Sequence, residues 1–151
     1  MNMKNTLLLT ALLSAGTVAV AAPGSNNLVV TSEGKALAID ISGDGNATGF
    51  QARISVTGAK NGACKLQLPG DFQGACSVKA GVVRIAGFSP SGAALPTAIG
   101  SAAIVSLDAS VKSESVQVSS VEFADALGTA LPFRTNVDGQ AVKAARAGVA
   151  K

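Results

Sequence analysis

Cys64 and Cys76 are the only cysteines of the 151-residue chain, and they carry its most legible chemistry. A Pro69-Gly70-Asp71 turn lies between them. Their spacing is far from the close C-x-x-C arrangement that lowers a thiol pKa in redox pairs. Whether they are bridged depends on the compartment, and the first 21 residues address that. Lys4 sits beside the amino terminus, Thr6 to Val18 is an apolar run too short to remain in a bilayer, and Ala19-Val20-Ala21 supplies small residues for signal cleavage. The sequence therefore predicts a Sec-type signal peptide over 1–21, a mature chain from Ala22, and a secreted or periplasmic location. An even pair of cysteines in such a compartment reads as a structural bridge. Closing a loop of this length contributes about 3 kcal/mol.

Other reactive constellations are missing. The sequence has no histidine, tryptophan or tyrosine. Serine-histidine-aspartate and cysteine-histidine arrangements and the usual zinc sites are thereby excluded. The carboxylates are scattered singly, so no acid/base pair for glycoside chemistry stands out. Asp44-Gly45-Asn46 offers two oxygen side chains, whereas calcium takes about six to eight ligands, and a polar turn is the preferred reading. The expectation is a non-catalytic protein with no catalytic residue, no metal and no cofactor.

The elements that position the remaining side chains read as strands. Ala36, Ala38 and Asp40 alternate with Leu37, Ile39 and Ile41, and Phe50, Ala52, Ile54 and Val56 alternate with Gln51, Arg53 and Ser55. This period of two marks half-buried strands. Val82 to Phe88 is a further strand, Ser89 to Pro96 is a loop by composition, and Ala103, Val105, Leu107, Ala109 and Val111 stay in phase across a long apolar stretch. Val116, Val118, Val121 and Phe123 slip phase at Ser119-Ser120, which marks a bulge. Eight or nine short strands, frequent turns and no helical period predict an antiparallel β-sandwich, a barrel being the alternative.

One domain, 22–135, accounts for these strands, followed by a basic, flexible tail, 136–151, in which Val142 to Arg146 has the composition for a turn or two of helix but is too short to hold one alone. Without Lys4, the 12 basic residues fall to 11 against 9 acidic ones. Much of the excess lies in Arg134, Lys143, Arg146 and Lys151, leaving the folded body close to neutral. Such a body lacks the basic stripe and aromatic interleaving that nucleic acid requires. The signal region has no cysteine, so no lipid anchor is expected, and Leu131-Pro132-Phe133-Arg134-Thr135 does not have the spacing of a sortase signal.

Three blocks in order resemble the cohesin family, within the carbohydrate-binding-module-like sandwich superfamily. They are Thr48-Gly49-Phe50-Gln51-Ala52-Arg53-Ile54, then Val82-Val83-Arg84-Ile85-Ala86-Gly87-Phe88-Ser89 with Gly92 and Leu95, then Gly100 to Leu107 with Val118 to Leu131. The last block includes Glu122, Asp125 and Gly128. The resemblance spans 28–133 and implies a nine-stranded jelly roll whose flat sheet face binds a protein, in the best-known members a calcium-loaded dockerin. Thr57-Gly58-Ala59-Lys60 stands where the family usually has tyrosine-aspartate-proline.

The function expected is an exported recognition module that binds an exported protein partner through one sheet face. Gln51, Arg53, Ser55 and Arg84 are the candidate contacts. The alternative is a polysaccharide-binding module. It lacks the flat Trp and Tyr platforms of many sugar-binding surfaces, so stacking would fall to Phe72 and Phe88. A structural subunit of a surface assembly is the third reading, suggested by the richness in Ala, Gly, Ser and Val.

Overall fold

The computed structural model describes residues 25–146, so the signal-peptide expectation and residues 147–151 lie outside it. The described strands are β1 (Asn26–Glu33), β2 (Ala36–Ser42), β3 (Gly49–Val56), β4 (Gly62–Leu66), β5 (Gln73–Lys79), β6 (Val82–Phe88), β7 (Gly100–Leu107), β8 (Val116–Ala124), β9 (Ala130–Leu131), β10 (Phe133–Val137), β11 (Gln140–Val142) and β12 (Ala145–Arg146). Of these, β9, β11 and β12 are two- or three-residue pieces. The expectation is about nine strands, and the excess lies in these short pieces. A 3₁₀ turn at Ser113–Ser115 precedes β8, where the sequence suggests a solvated bend.

The strands form two six-stranded sheets. The first runs β9-β8-β3-β6-β5, with β12 also on β8, and the second runs β11-β10-β1-β2-β7-β4. Neighbours are antiparallel except β1–β10 and β8–β12, which are parallel. The inner faces bury the alternating residues identified above: Leu37, Ile39 and Ile41 from β2, and Phe50, Ala52, Ile54 and Val56 from β3. Phe123 lies at the centre, fully buried, with its ring centroid 6.2 Å from Phe50 of its own sheet and 6.3 Å from Phe133 of the opposite one. The phase slip at Ser119-Ser120 is a bulge. Arg53 pairs with Ser120 and Ile54 with Val118, leaving Ser119 as the extra residue, whose hydroxyl donates to the Arg53 carbonyl at 3.0 Å.

Sheet changes occur where local chemistry stops a ladder. Between β2 and β3 the chain crosses from the second sheet to the first through Gly43 to Thr48. A Cβ at Gly43 would lie 2.8 Å from that of Leu95, so only glycine lets the crossover pack. Pro132, which has no N–H to donate, separates β9 on the first sheet from β10 on the second. The β5–β6 hairpin turns on Ala80 and Gly81, both at positive φ (52° and 76°), as a two-residue primed turn requires.

Two expectations are corrected. The domain does not end at 135: Asn136 and Val137 are buried in β10, and the chain continues through β11 and β12 to Arg146. Nor is 136–146 a free tail, and the turn or two of helix that the composition of 142–146 allows is not formed. An Asp138-Gly139 turn, with φ of 49° and 84°, sends the chain back along β10, where Gln140 to Val142 pair with Thr135 to Val137, and Ala145 and Arg146 then pair with Ser120 and Val121 of β8.

Candidate functional site

The four long strands of the first sheet form a grid on its outer face, because side chains alternate faces at every residue. Its registers place Gln73, Phe88, Gly49 and Ala124 in one row, and Ala75, Ala86, Gln51 and Glu122 in the next. Ser77, Arg84, Arg53 and Ser120 follow, and then Lys79, Val82, Ser55 and Gln117. Three of the candidate contacts, Gln51, Arg53 and Arg84, are exposed on this face, and Ser55 is half-buried on it. The structure thus brings all four onto one surface.

The two glycan candidates separate. Phe88 is 53% exposed and stands on the outer face. Phe72 is only 9% exposed and belongs to the core, which removes it from any surface a sugar ring could stack on. Phe88 is in phase with Arg84 and Ala86, opposite the buried Val83 and Ile85, whereas Phe72 precedes β5 in a turn where no period applies.

What the sequence pattern did not single out is the floor between these residues. Gly49, Ala75, Ala86 and Ala124 present almost no side chain, and together they form the base of an open, mainly apolar groove of about 570 Å³. Phe88 and Gln73 border it on one side, and Gln51 and Glu122 on the other. Gln51 Nε2 donates to Glu122 Oε1 at 3.0 Å, which holds that wall upright. Along each of the four strands a small outward residue is followed or preceded by an outward Gln, Phe or Glu, so no single strand marks the floor. Inside the sheet, Gly87 lets the Phe50 ring approach, since a Cβ there would lie 2.8 Å from the ring. The groove floor is therefore backed by aromatic packing.

Arg53 and Arg84 are direct cross-strand partners, which puts their Cβ atoms about 5 Å apart. Among the described residues no carboxylate lies within 4.0 Å of either guanidinium. At the far end of β6, Asp71 accepts hydrogen bonds from Ser89 Oγ (2.8 Å) and Ser91 Oγ (2.5 Å), and Ala93 N donates to Ser89 Oγ (2.9 Å). These bonds, Ser91's first, hold the Asp71 carboxyl below its ordinary range. They also fix the turn that follows Phe88. Beyond the groove's end, Leu127 is 91% exposed at the tip of a turn whose amides Leu127 N and Thr129 N donate to Asp125 Oδ1.

Cys64 and Cys76 are bonded, with Cα atoms 5.8 Å apart. Their strands, β4 and β5, are edges of different sheets, so the bridge ties the two sheets together along one open side. At Asp44 the carboxylate accepts from Asn46 N at 2.8 Å, the polar turn expected there. Among the described residues no three His, Cys, Asp or Glu side chains gather as metal ligands, and no helix is long and apolar enough to cross a membrane.

Two packed sheets with this strand order define a jelly-roll sandwich, and comparison with solved structures makes the fold cohesin-like. The chain is similar to a non-cellulosomal cohesin from the archaeon Archaeoglobus fulgidus (13% identity, TM-score 0.50, covering 74% of this chain and 86% of that one). It is likewise similar to a chain of a type I cohesin–dockerin complex from Clostridium thermocellum (10% identity, TM-score 0.50, covering 89% and 99%). No family model matches the sequence, and no curated protein does.

Proposed function

We propose that this protein is a non-catalytic docking module, exported by its leader, that seats a protein partner on the outer face of β5, β6, β3 and β8. The observation that carries the reading is the open apolar groove on that face, floored by Gly49, Ala75, Ala86 and Ala124 and flanked by a half-exposed Phe88. A rigid sheet with a bare floor accepts a large apolar side chain from a partner without rearranging its own. Burying such an anchor, with Phe88 closing over it, contributes on the order of 2–3 kcal/mol. The cohesin-like fold supports the reading, since one of the similar structures is a complex with a protein partner. A sugar ring is less well served, because Phe88 is the one candidate stacking residue left on the face.

The test is capture of exported proteins from the producing cell on the immobilised protein, with Ala86→Gln in parallel. That substitution fills the groove floor at an exposed position and leaves the charge unchanged. Capture by the wild type and at least tenfold less by the variant is expected. Equal capture by both places docking elsewhere, and retention on polysaccharide gels in place of proteins moves the function to glycan binding.

A further inference from the structure

The groove accounts for only half of the face; the Arg53 and Arg84 rows remain. Two arginines directly opposite each other on neighbouring strands repel, and such like-charged pairs are destabilising. Among the described residues of the neighbouring row, the acidic side chain Glu122 is engaged by Gln51 Nε2. Among the described residues the pair therefore stands exposed without a counter-charge beside an apolar floor, an arrangement that serves a ligand better than it serves the fold.

Resting on the docking reading above, we infer that the partner is an acidic peptide segment. It combines one large apolar side chain, seated on the Ala86 floor beside Phe88, with carboxylates that bridge Arg53 and Arg84. Paired guanidinium groups form forked, charge-assisted hydrogen bonds with carboxylates, which an ammonium cannot reproduce. The spacing is set by the strands. Arg84 is two residues from Ala86 and four from Phe88 along β6, about 7 Å and about 14 Å at strand rise. An extended ligand therefore carries its carboxylates two to four residues from its apolar anchor. A second copy of this chain does not fit, because a two-fold axis through the pair would set four guanidinium groups against one another. An acidic polysaccharide offers carboxylates but no apolar side chain for the floor.

The experiment selects a displayed library of random twelve-residue peptides on the full chain, on Arg53→Gln/Arg84→Gln, and on Ala86→Gln, with polygalacturonate as a competitor. The wild type is expected to enrich sequences holding a large apolar residue with two or more Asp or Glu at that spacing. Those peptides should bind the double arginine variant about tenfold or more weaker, with the salt dependence lost. Ala86→Gln should lose the apolar preference and keep the acidic one. Enriched peptides without Asp or Glu, or with unchanged affinity for the double variant, overturn acid recognition and leave the docking face standing. If polygalacturonate binds more tightly than any selected peptide, the partner is not a peptide. If no peptide is enriched on the wild type, the docking reading falls together with the inference.

Discussion

Removing the Cys64–Cys76 bridge should weaken the fold by about 3 kcal/mol, and the loss should be local in origin. The bridge has a sequence separation of 12, and the loop-closure relation for a loop of that length gives about 10 cal/mol/K, or about 3 kcal/mol at 25 °C. The placement matters as much as the length. Within the sheets β4 pairs only with β7 and β5 only with β6, so each is an edge, and the bridge is the covalent tie between those edges. The perturbation is Cys64→Ala/Cys76→Ala, compared with oxidised and reduced wild type in urea unfolding. With a urea m-value of about 1.5 kcal/mol/M, the midpoint should fall by about 2 M. Reductant should move the wild type by a similar amount and the variant not at all. Hydrogen exchange should then show β4 and β5 amides opening well before those of the β1–β2 pair. A reduced wild type whose midpoint stays in place, or protection lost evenly over both regions, refutes the account.

Further outcomes follow from other features. Ala80 holds a left-handed φ of 52° in the β5–β6 turn, so Ala80→Asn should stabilise by about 0.5–1 kcal/mol in thermal unfolding. Gly81→Ala should destabilise the same turn, because its Cβ would lie 2.5 Å from the Ala59 carbonyl oxygen. At Asp138, burial pushes the carboxyl up, but hydrogen bonds from Ser113 Oγ, Ser32 Oγ and Ser32 N outweigh it and the net shift is downward. A depressed folded-state pKa contributes stability above the ordinary value of 3.8, and that stability is lost as pH falls through the folded value. Asp138→Asn, which tolerates the same backbone, should therefore flatten the acid limb of the stability curve below about pH 4 and leave its shape at neutral pH unchanged. Phe88→Ala should change stability by no more than about 0.5 kcal/mol while weakening partner capture, since the ring lies on the solvent side of the sheet.

Much of the sandwich was legible in the sequence because alternation and turn chemistry are local. The opposition of Gln51 and Arg53 to Ala52 and Ile54 and the slip at Ser119-Ser120 appear in the structure where the pattern put them. The assignment of strands to sheets was not legible, since it depends on contacts distant in sequence. The crossover after Ser42 needs the approach of Leu95 to Gly43, and the departure at Pro132 needs β1 to be waiting. The same holds for the site. Phase alone places Phe88 outward, but Phe72 lies in a turn with no period and its burial depends on tertiary packing. The groove floor likewise exists only because Ala75, Ala86, Gly49 and Ala124 come from different strands in register. The chain beyond 135 read as a tail because Ala and Gly carry no strand pattern; its order comes from the Asp138-Gly139 turn and from pairing with partners far back in the chain.

The parallel pairing of β10 with β1 also has a kinetic meaning. Phe133 is registered with Asn26, so one of the central ladders of the second sheet joins nearly opposite ends of the described chain. Local hairpins such as β1–β2 and β5–β6 can form early, but this ladder must wait until almost all of the polypeptide is in place, and closing so large a loop slows folding. Until then β1 presents a free edge on the side β10 will occupy, open to any strand that arrives first. Folding speed and resistance to misassociation are therefore set by the last third of the chain rather than by the well-patterned strands at its start.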